Sequence, residues 1–147
     1  RGCPEKMSDI CVASCPNLTS LEHGPKDIIG NYRVQETGIT SLKGIAPKLG
    51  YELNIAKTKI TSLRGIHNLI EFRYEGGAMV YLEGTPIKDG LIDLMRVKNF
   101  GHVGDEVALE GDLRKACEII NKHAGNGRAG IIDAQDELYQ EDLENFI

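Results

Sequence analysis

The chain has 147 residues, 41% of them hydrophobic and 27% charged, which excludes a disordered or collagen-like polypeptide and allows one ordinary domain with a real core. Its net charge of −5 at pH 7 argues against affinity built on phosphate neutralisation, and its longest apolar run, Ala78 to Leu82, is far too short to span a bilayer. Trp is absent and aromatics make up only 5%, so Leu, Ile and Val must fill the interior, while 17 glycines promise many tight turns.

The first 15 residues carry Cys3, Cys11 and Cys15, and the fourth cysteine, Cys117, stands far away. Four cysteines so unevenly placed do not make a disulfide scaffold, and no secretion signal precedes Arg1, so a reduced, intracellular protein is expected. Cys3, Cys11, Cys15 and His23 lack the compact C-x2-C spacing that sets two thiolates on one turn, so no metal is expected. A first strand here buries either Cys11 and Ala13 or, with a one-residue slip, Ile10 and Val12. The slip gives the better apolar pair and is preferred.

Three tetrapeptides then recur 21 residues apart: Leu18-Thr19-Ser20-Leu21, Ile39-Thr40-Ser41-Leu42 and Ile60-Thr61-Ser62-Leu63. Each is followed closely by a glycine (Gly24, Gly44, Gly65), and a Pro-Lys pair follows twice. Upstream of the second and third lie alternating pairs, Tyr32/Val34 and Leu53/Ile55, and a further pair, Phe72/Tyr74, precedes a degenerate copy ending at Gly84. Alternation marks half-buried strands. With the next apolar residue seven positions after the first (Ile39, Ile60, Met79), the spacing matches L-x-L-x-x-N-x-L, the leucine-rich-repeat pattern. Thr37 and Thr58 take the asparagine position, where a hydroxyl still bonds the bend backbone, and Gly77 takes it in the last copy.

Repeats of this kind are stable only when stacked, which predicts a short parallel-sheet solenoid over residues 1–110, with clear repeats about 18–86 and an irregular closing segment 87–110. The side chains flanking the buried pairs line the outer sheet face: Asn31, Arg33 and Gln35; Glu52, Asn54 and Ala56; Glu71, Arg73 and Glu75. This polar face of mixed sign is either a solubilising surface or a recognition surface.

In the closing segment, Leu91–Val97 and Val103–Leu109 read as two further strands, the first equally as a short helix. Residues 111–147 read as a helical cap of the same domain. Leu113, Ala116, Cys117, Ile120 and Ala124 fall at helical spacing between an N-capping Asp112 and a stop at Gly125. A last helix from near Gly130 to the end carries a stripe of Ile132, Tyr139, Leu143 and Phe146, with Leu138 at its edge. Residues 131–147 hold six acidic side chains and no Lys or Arg, an alternative docking face for a basic partner.

The Thr-Ser-Leu-x-Gly repeats resemble those of leucine-rich-repeat proteins of tailed bacteriophages, which run on "LTSLEG-P", and the segment from Gly127 to Leu138 resembles the one that ends such proteins. The likeness runs from about Leu18 onward. It implies a solenoid with a helical cap, of viral origin, and brings no established chemistry. The few repeats, the bend threonines and the cysteine-bearing start depart from that pattern.

No motif supports catalysis. Gly125-Asn126-Gly127-Arg128-Ala129-Gly130 spells G-x-G-x-x-G, but a helix precedes it and no βαβ unit surrounds it, so it reads as an interhelical turn. His102, Asp105 and Glu106 form the single compact His-carboxylate group and read as loop residues. The expectation is a non-catalytic viral protein without cofactor, acting in the host cytoplasm and binding a host or phage protein through Asn31, Arg33, Gln35, Glu52, Asn54, Glu71, Arg73 and Glu75. The alternatives are a structural component of the virion, or a domain of a larger phage polypeptide, and then a nucleic-acid-associated protein.

Overall fold

The computed structural model describes residues 3–66 and 68–147 and is a parallel-sheet solenoid followed by a helical region. Each turn contributes two short strands: β1 (Lys6–Met7) and β2 (Ile10–Cys11), β3 (Asp27–Ile28) and β4 (Asn31–Arg33), β5 (Lys48–Leu49) and β6 (Glu52–Asn54), β7 (Glu71–Phe72) and β8 (Ala78–Tyr81). A final strand, β9 (Phe100–Val103), follows them. The first strand of each turn stacks into one sheet, in the order β1-β3-β5-β7, called sheet A here. The second stacks into sheet B, in the order β2-β4-β6-β8-β9, and every pairing is parallel.

The two sheets enclose one core. Ile28, Leu49 and Phe72 point in from sheet A, and Tyr32/Val34, Leu53/Ile55 and Val80/Leu82 point in from sheet B, all of them buried. Beyond sheet B the chain bends through a residue with left-handed φ: Glu36 at 56°, Lys57 at 54°, Gly84 at 70°. The next residue is a threonine each time. The hydroxyls of Thr37, Thr58 and Thr85 donate to the carbonyls of Val34, Ile55 and Leu82 at 2.8, 2.8 and 2.7 Å, closing the bend that an amide side chain would otherwise close. The return segment then buries Ile39, Ile60 and Ile87, along with Leu21, Leu42 and Leu63. The serines of the tetrapeptides sit in local turns there, Ser20, Ser41 and Ser62 accepting from the backbone N–H two residues on at 3.1, 3.3 and 3.1 Å.

The preferred slip in the first copy is the observed register, since Ile10 pairs with Tyr32, and Ile10 and Val12 are half-buried. The last copy is corrected. Phe72 pairs with Leu49 in sheet A, and the partner of Leu53 in sheet B is Val80. Tyr74, expected inward, is 55% exposed, and the bend position belongs to Thr85, not Gly77. The cause is a pair of insertions. Leu49 to Phe72 is 23 residues where Ile28 to Leu49 is 21, and Phe72 to Val80 is eight residues where Leu49 to Leu53 is four. The alternating Phe72/Tyr74 pair mimics a strand of sheet B while starting one of sheet A.

The closing segment is a 3-10 helix at Leu91–Arg96, then β9, then a 3-10 turn at Glu106–Ala108 where a strand was expected. Helix α1 (Gly111–His123) buries Ala116, Cys117, Ile119 and Ile120; Asp112 lies in its first turn and does not cap it. Helix α2 (Gly127–Gln140) starts earlier and ends sooner than the sequence suggests. Its buried residues are Gly130, Ala134 and Leu138, while Ile132 and Tyr139 of the expected stripe are exposed. Leu143 and Phe146 are buried, but they reach the core from beyond the helix, after a turn at left-handed Asp142. The G-x-G-x-x-G segment is the α1–α2 turn and the start of α2. Gly130 is required there because a Cβ would strike the His123 carbonyl.

Helix α1 also closes the β9 edge of sheet B. The Asn121 side chain accepts from Val103 N–H at 2.7 Å and donates to Val103 O at 3.0 Å, as a further strand would.

Candidate functional site

The solvent faces of the two sheets are built on the same periodicity and carry different chemistry. On sheet A, strand pairing sets Lys6 opposite Asp27, Asp27 opposite Lys48, and Lys48 opposite Glu71; an isolated bridge then sets Glu71 opposite Lys98. The signs alternate along the whole row. Glu71 is shared by Lys48 at 3.4 Å and Lys98 at 3.7 Å, and Arg73 forks onto Asp27, its Nε at 3.1 Å. The Arg73 guanidinium holds the Asp27 carboxyl below the usual carboxylate range, with Lys6 and Lys48 adding to the effect. Opposite charges on adjacent strands stabilise the stack modestly and leave the acids of this face committed.

On sheet B, three rows run along the solenoid axis. Asn31, Glu52, Met79 and His102 make the first, and Cys11, Arg33, Asn54 and Tyr81 the second. Gln35, Ala56 and Glu83 make the third. Their register is kept by bonds from Ser14 N–H to Gln35 O, Glu36 N–H to Ala56 O and Lys57 N–H to Glu83 O. Arg33 Nε meets Glu52 at 2.5 Å, Asp9 accepts from Asn31 N–H at 2.8 Å, and Asn54 accepts from Ala56 N–H at 3.1 Å. Met79 and Tyr81 lean over Gly104, where a Cβ would come within 3 Å of both side chains.

These contacts leave gaps. Asn31 Oδ1, Gln35 Oε1 and Glu83 Oε2 are buried and have no hydrogen-bond partner among the described residues, and all three belong to the sheet B face. Among the described residues Glu83 forms no ion pair, in contrast to Glu52 and Glu71.

The eight residues expected to form one surface therefore divide. Asn31, Arg33, Gln35, Glu52 and Asn54 share the sheet B face. Glu71 and Arg73 belong to sheet A, and Glu75 lies in the loop between β7 and β8, because the third repeat enters sheet A at Phe72. Met79, Tyr81, Glu83 and His102 were missed. The signal that could have found them is the shared apolar-x-x-Thr run at Val34–Thr37, Ile55–Thr58 and Leu82–Thr85, which sets Val80 and Leu82 in register with Leu53 and Ile55.

Other candidates are occupied by structural work. His102 and Glu106 gather around Asn121, with Asn121 Nδ2 at 2.6 Å from Glu106 and 3.4 Å from His102 Nε2, and Asp105 turns away into solvent. In the acidic C-terminal segment Glu137 is bonded by His123 at 2.7 Å and Lys122 at 3.1 Å, and these bonds hold its carboxyl below the usual range. Asp133, Asp136, Glu141, Asp142 and Glu144 are exposed. All four cysteines are free; Cys3, Cys11 and Cys15 are exposed, and burial pushes the Cys117 thiol up to about 12. Among the described residues no three His, Cys, Asp or Glu side chains stand close enough to hold a metal, and no helix is long and apolar enough to cross a membrane. Comparison of the chain with protein-family models, with curated proteins and with solved structures found no match.

Proposed function

We propose that this chain is a non-catalytic protein-interaction module of viral origin, of the tailed-bacteriophage leucine-rich-repeat type, that binds a host or phage protein in the host cytoplasm through the sheet B face. The observation that carries the recognition role is the contrast between the faces. Sheet A pairs its acids with basic neighbours, whereas sheet B holds three sheltered acceptors without donors and an acid without a counter-ion. A rigid stack fixes the spacing of Arg33, Asn54, Tyr81 and Glu83 before any partner arrives, so little ordering entropy is lost on binding. Arg33 and Tyr81 are residue types that anchor interfaces. The viral part rests on the resemblance of the Thr-Ser-Leu-x-Gly repeats and of the Gly127–Leu138 segment.

Affinity capture from infected-cell lysate, with mass spectrometry of what co-elutes, tests this function. The expected result is a protein whose capture is competed by the untagged chain. A second reading, a virion component or part of a larger phage polypeptide, is favoured by the outer edges of β1 and β2, which pair with no further strand among the described residues, since unpaired parallel edges are templates for further strands. Recovery of the chain from purified virions, with nothing captured from lysate, would select it.

A further inference from the structure

We propose that the Gln35–Ala56–Glu83 row receives the guanidinium of an arginine side chain presented by a protein partner, an inference that rests on the recognition role given to the sheet B face above. The three residues lie in the turns just beyond β4, β6 and β8, which stack at the strand spacing of about 4.8 Å, so Gln35 and Glu83 flank a methyl group at a separation of about 10 Å between their backbones. Ala56 is only 4% exposed, so its neighbours cover it and the inner atoms of the row are sheltered from water. Two of those inner atoms, Gln35 Oε1 and Glu83 Oε2, are acceptors without a donor. A sheltered acceptor left unpaired has lost its hydration for nothing in return, and a carboxylate loses more than an amide.

What would satisfy both atoms is narrowly defined. It must donate, because both atoms accept. It must be cationic, because Glu83 has no ion pair among the described residues, and it must carry several donors, because the two acceptors come from residues on either side of Ala56. A guanidinium has five N–H donors in a rigid plane and no acceptor, and is more weakly hydrated than an ammonium. A divalent metal fits poorly, since one carboxylate and one amide oxygen are too few ligands and, among the described residues, no cluster of three His, Cys, Asp or Glu side chains stands there. The neighbouring arginine of the chain, Arg33, is committed to Glu52 at 2.5 Å. The net charge of −5 attracts a basic partner to the molecule as a whole.

The probe is N-acetyl-arginine amide, titrated into the isotope-labelled full chain and followed by amide chemical shifts, with the neutral isostere N-acetyl-citrulline amide as control. Saturable shifts are expected at Gln35, Ala56 and Glu83, at least fivefold weaker in affinity with citrulline. Glu83→Gln should weaken arginine binding at least fivefold, and Gln35→Glu should tighten it. Equal response to citrulline, or shifts confined to the acidic residues 133–144, would overturn the proposal. So would a Gln35→Glu variant that is destabilised and binds no tighter, because that outcome means the Gln35 amide is turned to donate to Glu83. The partner capture separates this proposal from the one beneath it. Capture lost in Arg33→Ala/Asn54→Ala but unchanged in Glu83→Gln overturns the arginine notch and leaves the face standing; capture unchanged in both overturns the two together.

Discussion

Sheet A and sheet B are wound from the same repeats and share one interior, and they show solvent very different chemistry. Sheet A alternates Lys6, Asp27, Lys48, Glu71 and Lys98, so its acids are answered by neighbours within the chain. Sheet B answers Glu52 with Arg33 and then stops, leaving Glu83 and two amide oxygens without partners among the described residues. The lesson is that a polar solenoid face is not by itself a recognition surface. The informative property is whether its hydrogen bonds and charges close within the chain, because a closed face has little to offer a partner and an open one has groups whose best partners lie elsewhere.

The shared interior gives the largest expected effects and tests whether the sheets are equal structurally. Phe72→Ala under sheet A and Leu53→Ala under sheet B should each cost about 2–5 kcal/mol in chemical denaturation, because both are fully buried and leave a cavity. A loss below 0.5 kcal/mol on one side alone, against the roughly 2 kcal/mol minimum expected of a core leucine or phenylalanine, would mean that the sheets do not share a core. Next in size is the closure of sheet B at its β9 edge. Asn121→Ala strands the Val103 N–H and C=O and should cost about 1–3 kcal/mol, with faster amide exchange at Val103.

The ion row of sheet A should matter less. Asp27→Asn removes the Arg73 pair and should cost no more than about 1 kcal/mol at neutral pH, since both partners are partly exposed. Its pH dependence has a definite sign. The folded-state pKa of Asp27 is depressed, so its contribution is present above the ordinary carboxylate pKa and is lost as pH falls through the lowered value. The stability gap between wild type and Asp27→Asn should therefore close in strong acid, which urea midpoints measured down the pH scale will show. The smallest effect is a gain. Lys57 sits at φ 54° in the bend after sheet B, and Lys57→Gly should raise stability by up to about 1 kcal/mol by relieving the left-handed strain. No change on thermal unfolding would mean that the bend is not strained.

Much of the architecture is legible in the sequence because stacking demands the same residue type at the same inner position in each turn, as with Leu21, Leu42 and Leu63. The division into two sheets is not. A strand of sheet A is two residues long and sends one side chain inward, Ile28 or Leu49, so it has no alternation to detect. The misplaced third repeat has a related cause, since a longer loop between β7 and β8 moves Val80 out of step while Phe72 and Tyr74 imitate the missing strand. The C-terminal stripe fails because the helix ends at Gln140, and helical spacing does not govern Leu143 and Phe146 beyond it. Five of the eight expected surface residues fall together because they flank correctly placed inward pairs. The open acceptors are invisible from sequence, because they are defined by what their neighbours fail to donate.

The central claim, that the open face recognises and the closed face does not, is tested most directly by one capture experiment on paired variants. Arg33→Ala/Asn54→Ala alters sheet B, Lys48→Ala/Arg73→Ala alters sheet A, and both are compared with wild type for the amount of partner retained. The account predicts at least a tenfold loss for the sheet B pair and retention within twofold for the sheet A pair, on the order expected when an interface anchor is truncated rather than a surface charge elsewhere. Loss with the sheet A pair alone, or loss only when Asp136, Glu141 and Asp142 of the acidic segment are neutralised, would contradict it.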